Sequence, residues 1–271
     1  MPWLVHGFST RPGGTTTCYE RRSLNLGFTK EDDTDHVEAN RKWLLHTLGA
    51  GTRKVSWPLI TNRQIHSDII HILRTPPVES LTGDGLITNV AGIAIAVLTA
   101  DCLPVVLVDR RNRVVGAFHA GWRGTVKRIV EKGVGAMRHE FGSRVQDIYG
   151  AIGPGIQKCC YAVGEELRTQ FESQFVYAGK LFHEVQESDP VHEKYPLLFL
   201  NARAPGHGDL CARLHLDLSE ANRRQLVAAG VPEKQITVSG ECTACNTRKF
   251  FSHRAEQGRT GRMMAVVGIK P

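Results

Sequence analysis

Two short stretches of the 271-residue chain carry side chains whose types and spacing can do chemistry. The first is Leu98-Thr-Ala-Asp101-Cys102-Leu-Pro104, set between two apolar runs. It places a thiol beside a carboxylate where two strands meet, and binding groups gather at such junctions. Cys102 is equally readable as a small buried hydrophobe, and both readings stay open here. The second is Val115-Gly-Ala-Phe-His119-Ala-Gly121-Trp-Arg123-Gly124. A strand delivers His119, a glycine turn lets the backbone approach closely, and a helix start carrying Arg123 follows. Free N–H groups and the dipole at a helix start favour anions, and a guanidinium fork suits phosphate. Asn62-Arg63-Gln64-Ile-His66 is a third candidate. Read as a strand, it puts Asn62, Gln64 and His66 on one face. Cys242-Thr-Ala-Cys245 is a CxxC without a second one or a nearby His pair, so it lacks half of a zinc ribbon. The sequence after it shows no helix of the kind a thioredoxin-like site needs. Cys159-Cys160 reads as two ordinary thiols, and His183, His192 and His207 as solvated side chains in an irregular stretch.

The elements that must position these groups follow from apolar periodicity. Val5–Ser9 predicts a strand and 10–14 (Thr-Arg-Pro-Gly-Gly) a turn. Asp35–Leu48 predicts a helix stopped by Gly49. Pro58–Ile65, Asp68–Leu73, Asp84–Thr88, Gly92–Leu98, Pro104–Asp109 and Arg113–His119 are Val- and Ile-rich runs that read as strands. Thr125–Phe141 is the clearest helix, with Val126, Ile129, Val130, Val134, Met137 and Phe141 at 3–4 spacing. Val145–Ile152 predicts a strand and Gly164–Phe175 a helix, while 176–210 reads as an irregular excursion. Leu218–Ala229 predicts a helix ended by Gly230, and Gln235–Ser239 and Met263–Ile269 two late strands. Intermixed strands and helices without regular βαβ alternation imply an α+β or mixed α/β chain in one domain.

Composition bounds the class. A hydrophobic share of 41% and a charged share of 23% exclude wholesale disorder. The net charge of +7 admits phosphorylated ligands as readily as nucleic acid. No basic leader with a long apolar segment opens the chain, and Asp101, Cys102 and Pro104 interrupt its most apolar stretch, so neither a secretory signal nor a membrane span is expected. Seven cysteines without a leader fit reduced thiols in the cytoplasm.

The motifs in their order resemble the YfiH-like, laccase-domain family. They are Phe8-Ser-Thr-Arg-Pro-Gly-Gly14, Ser23-Leu-Asn-Leu-Gly27, Asn40-Arg41, Gln64-Ile-His66, Asp84-Gly-Leu-Ile-Thr88, Thr99-Ala-Asp-Cys102 and His119-Ala-Gly-Trp-Arg-Gly124. Gly153-Pro-Gly-Ile-Gln-Lys-Cys-Cys-Tyr161, Leu216-Asp-Leu218 with Asn222, and Phe250-Phe-Ser-His-Arg254 complete the match. The chain departs from the pattern in a longer 201–213 segment and in His253, where Tyr is usual. Both departures bear on substrate preference. The resemblance implies one α+β domain over 1–271, with mixed sheets flanked by helices in α/β/β/α layers. It implies a zinc enzyme that cleaves adenosine, inosine, guanosine or methylthioadenosine with phosphate, with an adenosine deaminase side activity. It places zinc, with copper admissible, on His66, Cys102 and His119. Three N and S ligands leave one tetrahedral position open, the pattern of catalytic zinc. Zinc deaminases also employ an acid/base carboxylate, for which Asp101 and Asp84 are the candidates. Arg123, Arg63, Gly121 and Gly124 are the candidates for holding phosphate, and Asn25 for the nucleoside.

Three rival readings meet the residues directly. Laccases of the cupredoxin type need about ten histidines, many in His-x-His pairs, and this chain has 12 His but no such pair. A His₂Cys set can still take copper, whose intrinsic affinity exceeds that of zinc, so a weak polyphenol oxidase activity is the first alternative. A cysteine hydrolase using Cys102 and His119 is the second, and the family fold is grouped with such hydrolases. A nucleic-acid module is the third, but no RNP, KH or zinc-finger pattern accompanies the charge.

Overall fold

The computed structural model describes residues 1–19, 22–51, 55–186 and 212–271. Fourteen strands and five α-helices are described within these residues. The strands are β1 (Leu4–Phe8), β2 (Pro12–Thr16), β3 (Leu59–Thr61), β4 (Ile70–Leu73), β5 (Gly85–Thr88), β6 (Ala94–Thr99), β7 (Leu103–Asp109) and β8 (Val114–Ala120). They continue with β9 (Ile148–Ile152), β10 (Ala162–Val163), β11 (Phe182–Gln186), β12 (Ala212–Leu216), β13 (Ile236–Val238) and β14 (Met263–Ile269). The helices are α1 (Thr34–Leu48), α2 (Trp122–Val126), α3 (Ile129–Phe141), α4 (Glu165–Glu172) and α5 (Leu218–Ala228). The class is α+β with mixed sheets, as the sequence implies.

The chain forms two compact units, Met1–Gln157 with Leu218–Pro271, and Lys158–Asp217. The first holds a four-stranded sheet in the order β1-β14-β6-β3 and a six-stranded sheet in the order β13-β9-β7-β8-β5-β4. β14 runs antiparallel to both β1 and β6, whereas β3 is parallel to β6 and β4 to β5. Strands β5, β7, β8 and β14 are buried at every residue, which explains their unbroken apolar runs. One core lies between the sheets, where Ile95, Val97 and Val267 meet Leu86, Val106, Val108 and Val115. The outer face of the four-stranded sheet packs Ala94, Ala96 and Val266 on Leu44 and Leu45 of α1. Helices α3 and α5 cover the six-stranded sheet over β8 and β9. This gives α/β/β/α layering inside the unit. The second unit holds the antiparallel sheet β10-β12-β11 and α4.

Local signals hold where side chains alone decide. Asp33 caps α1 by accepting the Asp35 N–H at 2.9 Å, and Gly49 ends it in the left-handed region at φ 76°. Three expectations are corrected. The 176–210 stretch is not wholly irregular, because Phe182–Gln186 is a strand paired antiparallel with β12. The 10–14 stretch is not merely a turn, because Pro12–Thr16 is a strand. A Cβ on Gly14 would lie 2.2 Å from the Ser23 carbonyl oxygen, so the glycine answers to backbone contact. The helix predicted over Thr125–Phe141 is broken into α2 and α3 at Arg128, whose φ is 65°. The Thr125 carbonyl accepts the Gln225 Nε2–H from α5 at 2.7 Å and the Arg128 N–H at 2.9 Å, so it is spent before the α-helical ladder can continue. Residues 187–211, with His192, His207 and most of the 201–213 segment, lie outside the described residues.

Helix α3 presses on the sheet through Gly133. A Cβ there would sit 2.6 Å from ring atoms of the fully buried Phe118. Gly133→Ala is therefore expected to destabilise the fold by about 1–3 kcal/mol through overpacking, although alanine is the better helix former by ~1 kcal/mol. A denaturant midpoint no lower than the parent's would refute this.

Candidate metal centre

The hairpin β7–β8 brings two of the three candidate ligands together. Its register pairs Leu103 with Ala120 and Pro104 with His119, so Cys102 and Gly121 face each other just beyond the last pair. A Cβ on Gly121 would lie 2.9 Å from Cys102 Sγ and 3.2 Å from His66 Cδ2. The third candidate, His66, comes from the turn after β3, with a left-handed φ of 58°. Cys102 Sγ and His66 Nε2 are 3.9 Å apart, and the rings of His66 and His119 meet edge to face at 4.9 Å. The ligand atoms of His66, Cys102 and His119 all lie within 4.8 Å of one another. Tetrahedral zinc with bonds of ~2.0–2.3 Å sets its ligands roughly 3.3–3.8 Å apart, so small movements close this set around an ion. His66 is exposed, Cys102 half-buried and His119 buried, which leaves the group open on one side.

One buried carboxylate organises both histidines. Asp84 immediately precedes β5 and is fully buried. Its Oδ1 accepts His119 Nδ1 at 2.8 Å and the His66 N–H at 3.1 Å. Its Oδ2 accepts the Ser67 N–H at 2.6 Å, the Ser67 hydroxyl at 2.7 Å and the Ile65 N–H at 3.2 Å. The three N–H bonds hold the 65–67 turn and so sustain the strained backbone of His66. The bond to Nδ1 fixes the other ring nitrogen, Nε2, as the one available to a metal. Burial pushes the Asp84 carboxyl up, but the bonds from His119 and Ser67 outweigh it and hold the group far below the usual carboxylate range. Burial likewise opposes charge on Cys102 and His119, yet each favours the other's charged form. The thiol is drawn down by His119 and His66, and the imidazole up by Cys102 and Asp84.

Asp101 and Asp84 were the expected acid/base carboxylates, and the structure gives both another part. Asp84 is spent on the two histidines. Asp101 is buried, and its oxygens accept the Thr243 hydroxyl and the Arg254 N–H, each at 2.6 Å. Asn25, expected to bind nucleoside, is fully buried and saturated. Its Nδ2 donates to Gly27 O at 2.9 Å and to Asp32 at 2.7 Å, while its Oδ1 accepts the N–H groups of Gly27 at 3.1 Å and Arg262 at 2.8 Å. It is a structural clamp.

Asn62, Gln64 and His66 do not share a strand face, because β3 ends at Thr61. Asn62 donates to Gly85 O at 3.2 Å, and Gln64 pairs with both backbone groups of Leu98 at 2.7 and 2.8 Å. The anion cradle expected at this helix start would rest on a short helix rather than on the long one predicted. Gly121 caps a helix of five residues, and a Cβ on Gly124 would approach Ser67 O at 3.0 Å. These glycines allow the turn to pass close to the His66 turn. Arg63 and Arg123 are exposed, and Arg123 stacks on Trp122 at 4.2 Å. Cys242 Sγ accepts the Gln157 N–H at 3.4 Å, and His183 lies in β11 opposite His215. Sequence reasoning missed Ser67, Thr243 and the clamping part of Asp84. The available signal for Asp84 is an acidic residue at the mouth of a strand buried at every residue, where a charge is costly unless it is fully bonded.

Comparison with known proteins adds to this geometry. The family model described as multi-copper polyphenol oxidoreductase laccase matches residues 5–270. The purine nucleoside phosphorylase YlmD of Geobacillus stearothermophilus is 34% identical, over 97% of this chain and 89% of its own length. An adenosine deaminase, RL5, from an unknown prokaryotic organism is 35% identical, over 95% of this chain and 91% of its own. The crystal structure of the Bacillus licheniformis hypothetical protein YfiH superposes with a TM-score of 0.82 at 31% identity, covering 98% of this chain and 93% of that one.

Proposed function

The chain belongs to the laccase-domain family, and from that premise we propose that it is a zinc-dependent purine nucleoside phosphorylase with adenosine deaminase side activity. The observation that carries the reading is the convergence of His66, Cys102 and His119, with Asp84 fixing His119. Relatives named for phosphorolysis and for adenosine deamination support the two halves of it.

His66 Nε2, Cys102 Sγ and His119 Nε2 would hold the ion. Zinc bound there would supply a Lewis acid with one coordination position open to a reactant. The residues do the rest. Cys102, as thiolate, offsets part of the cation's charge. His119 keeps its Nδ1 proton on Asp84, so its Nε2 remains a donor of electrons. In phosphorolysis a phosphate oxygen bonds to C1′ of the ribose while the bond from C1′ to the purine nitrogen breaks, and the base leaves with that electron pair. Arg63 and Arg123 are exposed guanidiniums suited to orient the phosphate, and such positioning with charge stabilisation supplies most of the rate. In deamination water adds at C6 of adenine and ammonia departs.

The test incubates zinc-loaded protein with adenosine, inosine, guanosine and methylthioadenosine, with and without phosphate. Phosphate-dependent release of free base and the sugar 1-phosphate is expected, and its absence for all four would defeat the phosphorylase reading. Cys102→Ala is expected to lose zinc and both activities together; full zinc occupancy in that variant would show that the ligand set is wrong. The proximity of Cys102 Sγ and the His119 ring, within 4.8 Å, also favours a second reading, a cysteine hydrolase. Stoichiometric zinc excludes it, because a coordinated thiolate is no longer a free nucleophile. A copper-dependent polyphenol oxidase predicts phenol oxidation that rises with copper loading.

A further inference from the structure

Cys102 follows a residue in an unusual state. Asp101 has φ 87°, a conformation that suits glycine far better than aspartate. Such a backbone persists where its surroundings over-determine it, and here three segments do so. The Asp101 carbonyl accepts the Ile156 N–H at 2.8 Å. One carboxylate oxygen accepts the Thr243 hydroxyl and the other the Arg254 N–H, both at 2.6 Å. Thr243 is itself fully buried, and its N–H is fixed to Gly155 O at 3.1 Å. The kink at Asp101 sets the direction in which the next residue leaves, and that residue is Cys102.

We propose that Thr243, acting through Asp101, is a positioning residue that aims the Cys102 sulfur at the metal. This rests on the zinc reading above and extends it to a residue outside the ligand set. Asp84 performs this service for the two histidines and Asp101 for the thiolate, so each carboxylate governs one half of the donor set.

The experiment compares parent, Thr243→Val and Thr243→Ser. Zinc affinity is read by competition with a chromophoric chelator, and the sulfur–metal bond by the thiolate-to-metal charge-transfer band of the cobalt(II)-substituted protein. Valine preserves shape and removes the hydroxyl. It is expected to weaken zinc about 10–100-fold, the range for loss of an outer hydrogen bond at a metal site, and to shift or weaken the band. Serine keeps the hydroxyl and is expected to restore both. Parent affinity and spectrum in the valine variant, or a serine variant no better than valine, overturns the inference. Should Thr243→Val fail to fold, Thr243→Ala removes the same hydroxyl, and an unchanged affinity and spectrum there overturns it equally. A parent protein that takes up neither zinc nor cobalt defeats this inference together with the zinc reading. A parent that binds metal, with a valine variant that binds it equally, defeats this inference alone.

Discussion

Gly121→Ala is expected to reduce zinc affinity on the order of 100-fold while the metal-free protein keeps its stability to within about 1 kcal/mol. The two halves of this expectation have separate causes. The Gly121 backbone, at φ −71° and ψ 172°, is ordinary extended geometry that alanine adopts without penalty. The added methyl would nonetheless sit 2.9 Å from Cys102 Sγ and 3.2 Å from His66 Cδ2. Relief requires the sulfur and the imidazole to move, whereas metal–ligand bonds hold to within about 0.2 Å of their standard lengths. Calorimetry of the metal-free protein beside a zinc competition titration checks both halves. Parent-like zinc binding by the alanine variant would remove Gly121 from the site.

Asp84→Asn is expected to cost both function and stability. The carboxylate accepts bonds from five donors, and an amide would turn an N–H toward some of them. Charge-assisted bonds of this kind contribute roughly 1.5–3 kcal/mol each in net terms, so a loss of about 3 kcal/mol is expected. Zinc affinity is expected to fall a further 10–100-fold, because His119 loses the partner that fixes its tautomer and the 65–67 turn loosens around His66. Chemical denaturation and zinc titration of one variant measure the two effects. A variant with normal stability and weakened zinc would confine Asp84 to the tautomer of His119, whereas normal zinc affinity would contradict the clamp altogether.

Much of the fold was legible because its signals are local. The apolar run Met263–Ile269 is a strand with the same bounds, and Gly49 ends α1 where the periodicity stops. The helix from Thr125 was not legible in its broken form, since the break is made by the side chain of Gln225, distant in sequence. The donor set was named by resemblance and not by spacing, because His66, Cys102 and His119 meet only through the β7–β8 register and the turn after β3. Asp84 and Asp101 read as catalytic acids in the sequence, whereas in the structure their oxygens are engaged by internal donors. A carboxylate beside a ligand reads as chemistry until its hydrogen bonds are counted. Asn25 shows the converse limit, since a polar residue in a motif gives no hint in sequence that all four of its bonding positions are internal.

The order of strands in the four-stranded sheet also governs how the chain is made. β1 pairs with β14 in that sheet, and β14 in turn joins it to β6. The strand that stitches the sheet together is therefore translated after every other described strand. At ~5–20 residues per second, the first strand waits on the order of tens of seconds for its neighbour. During that interval β1 and β6 each present an unpaired edge, the feature by which nascent chains recruit one another. The six-stranded sheet has no such delay across β7, β8, β5 and β4, which follow closely in sequence. The β7–β8 hairpin that brings Cys102 and His119 together can thus assemble on the ribosome well before the opposite wall of the core arrives.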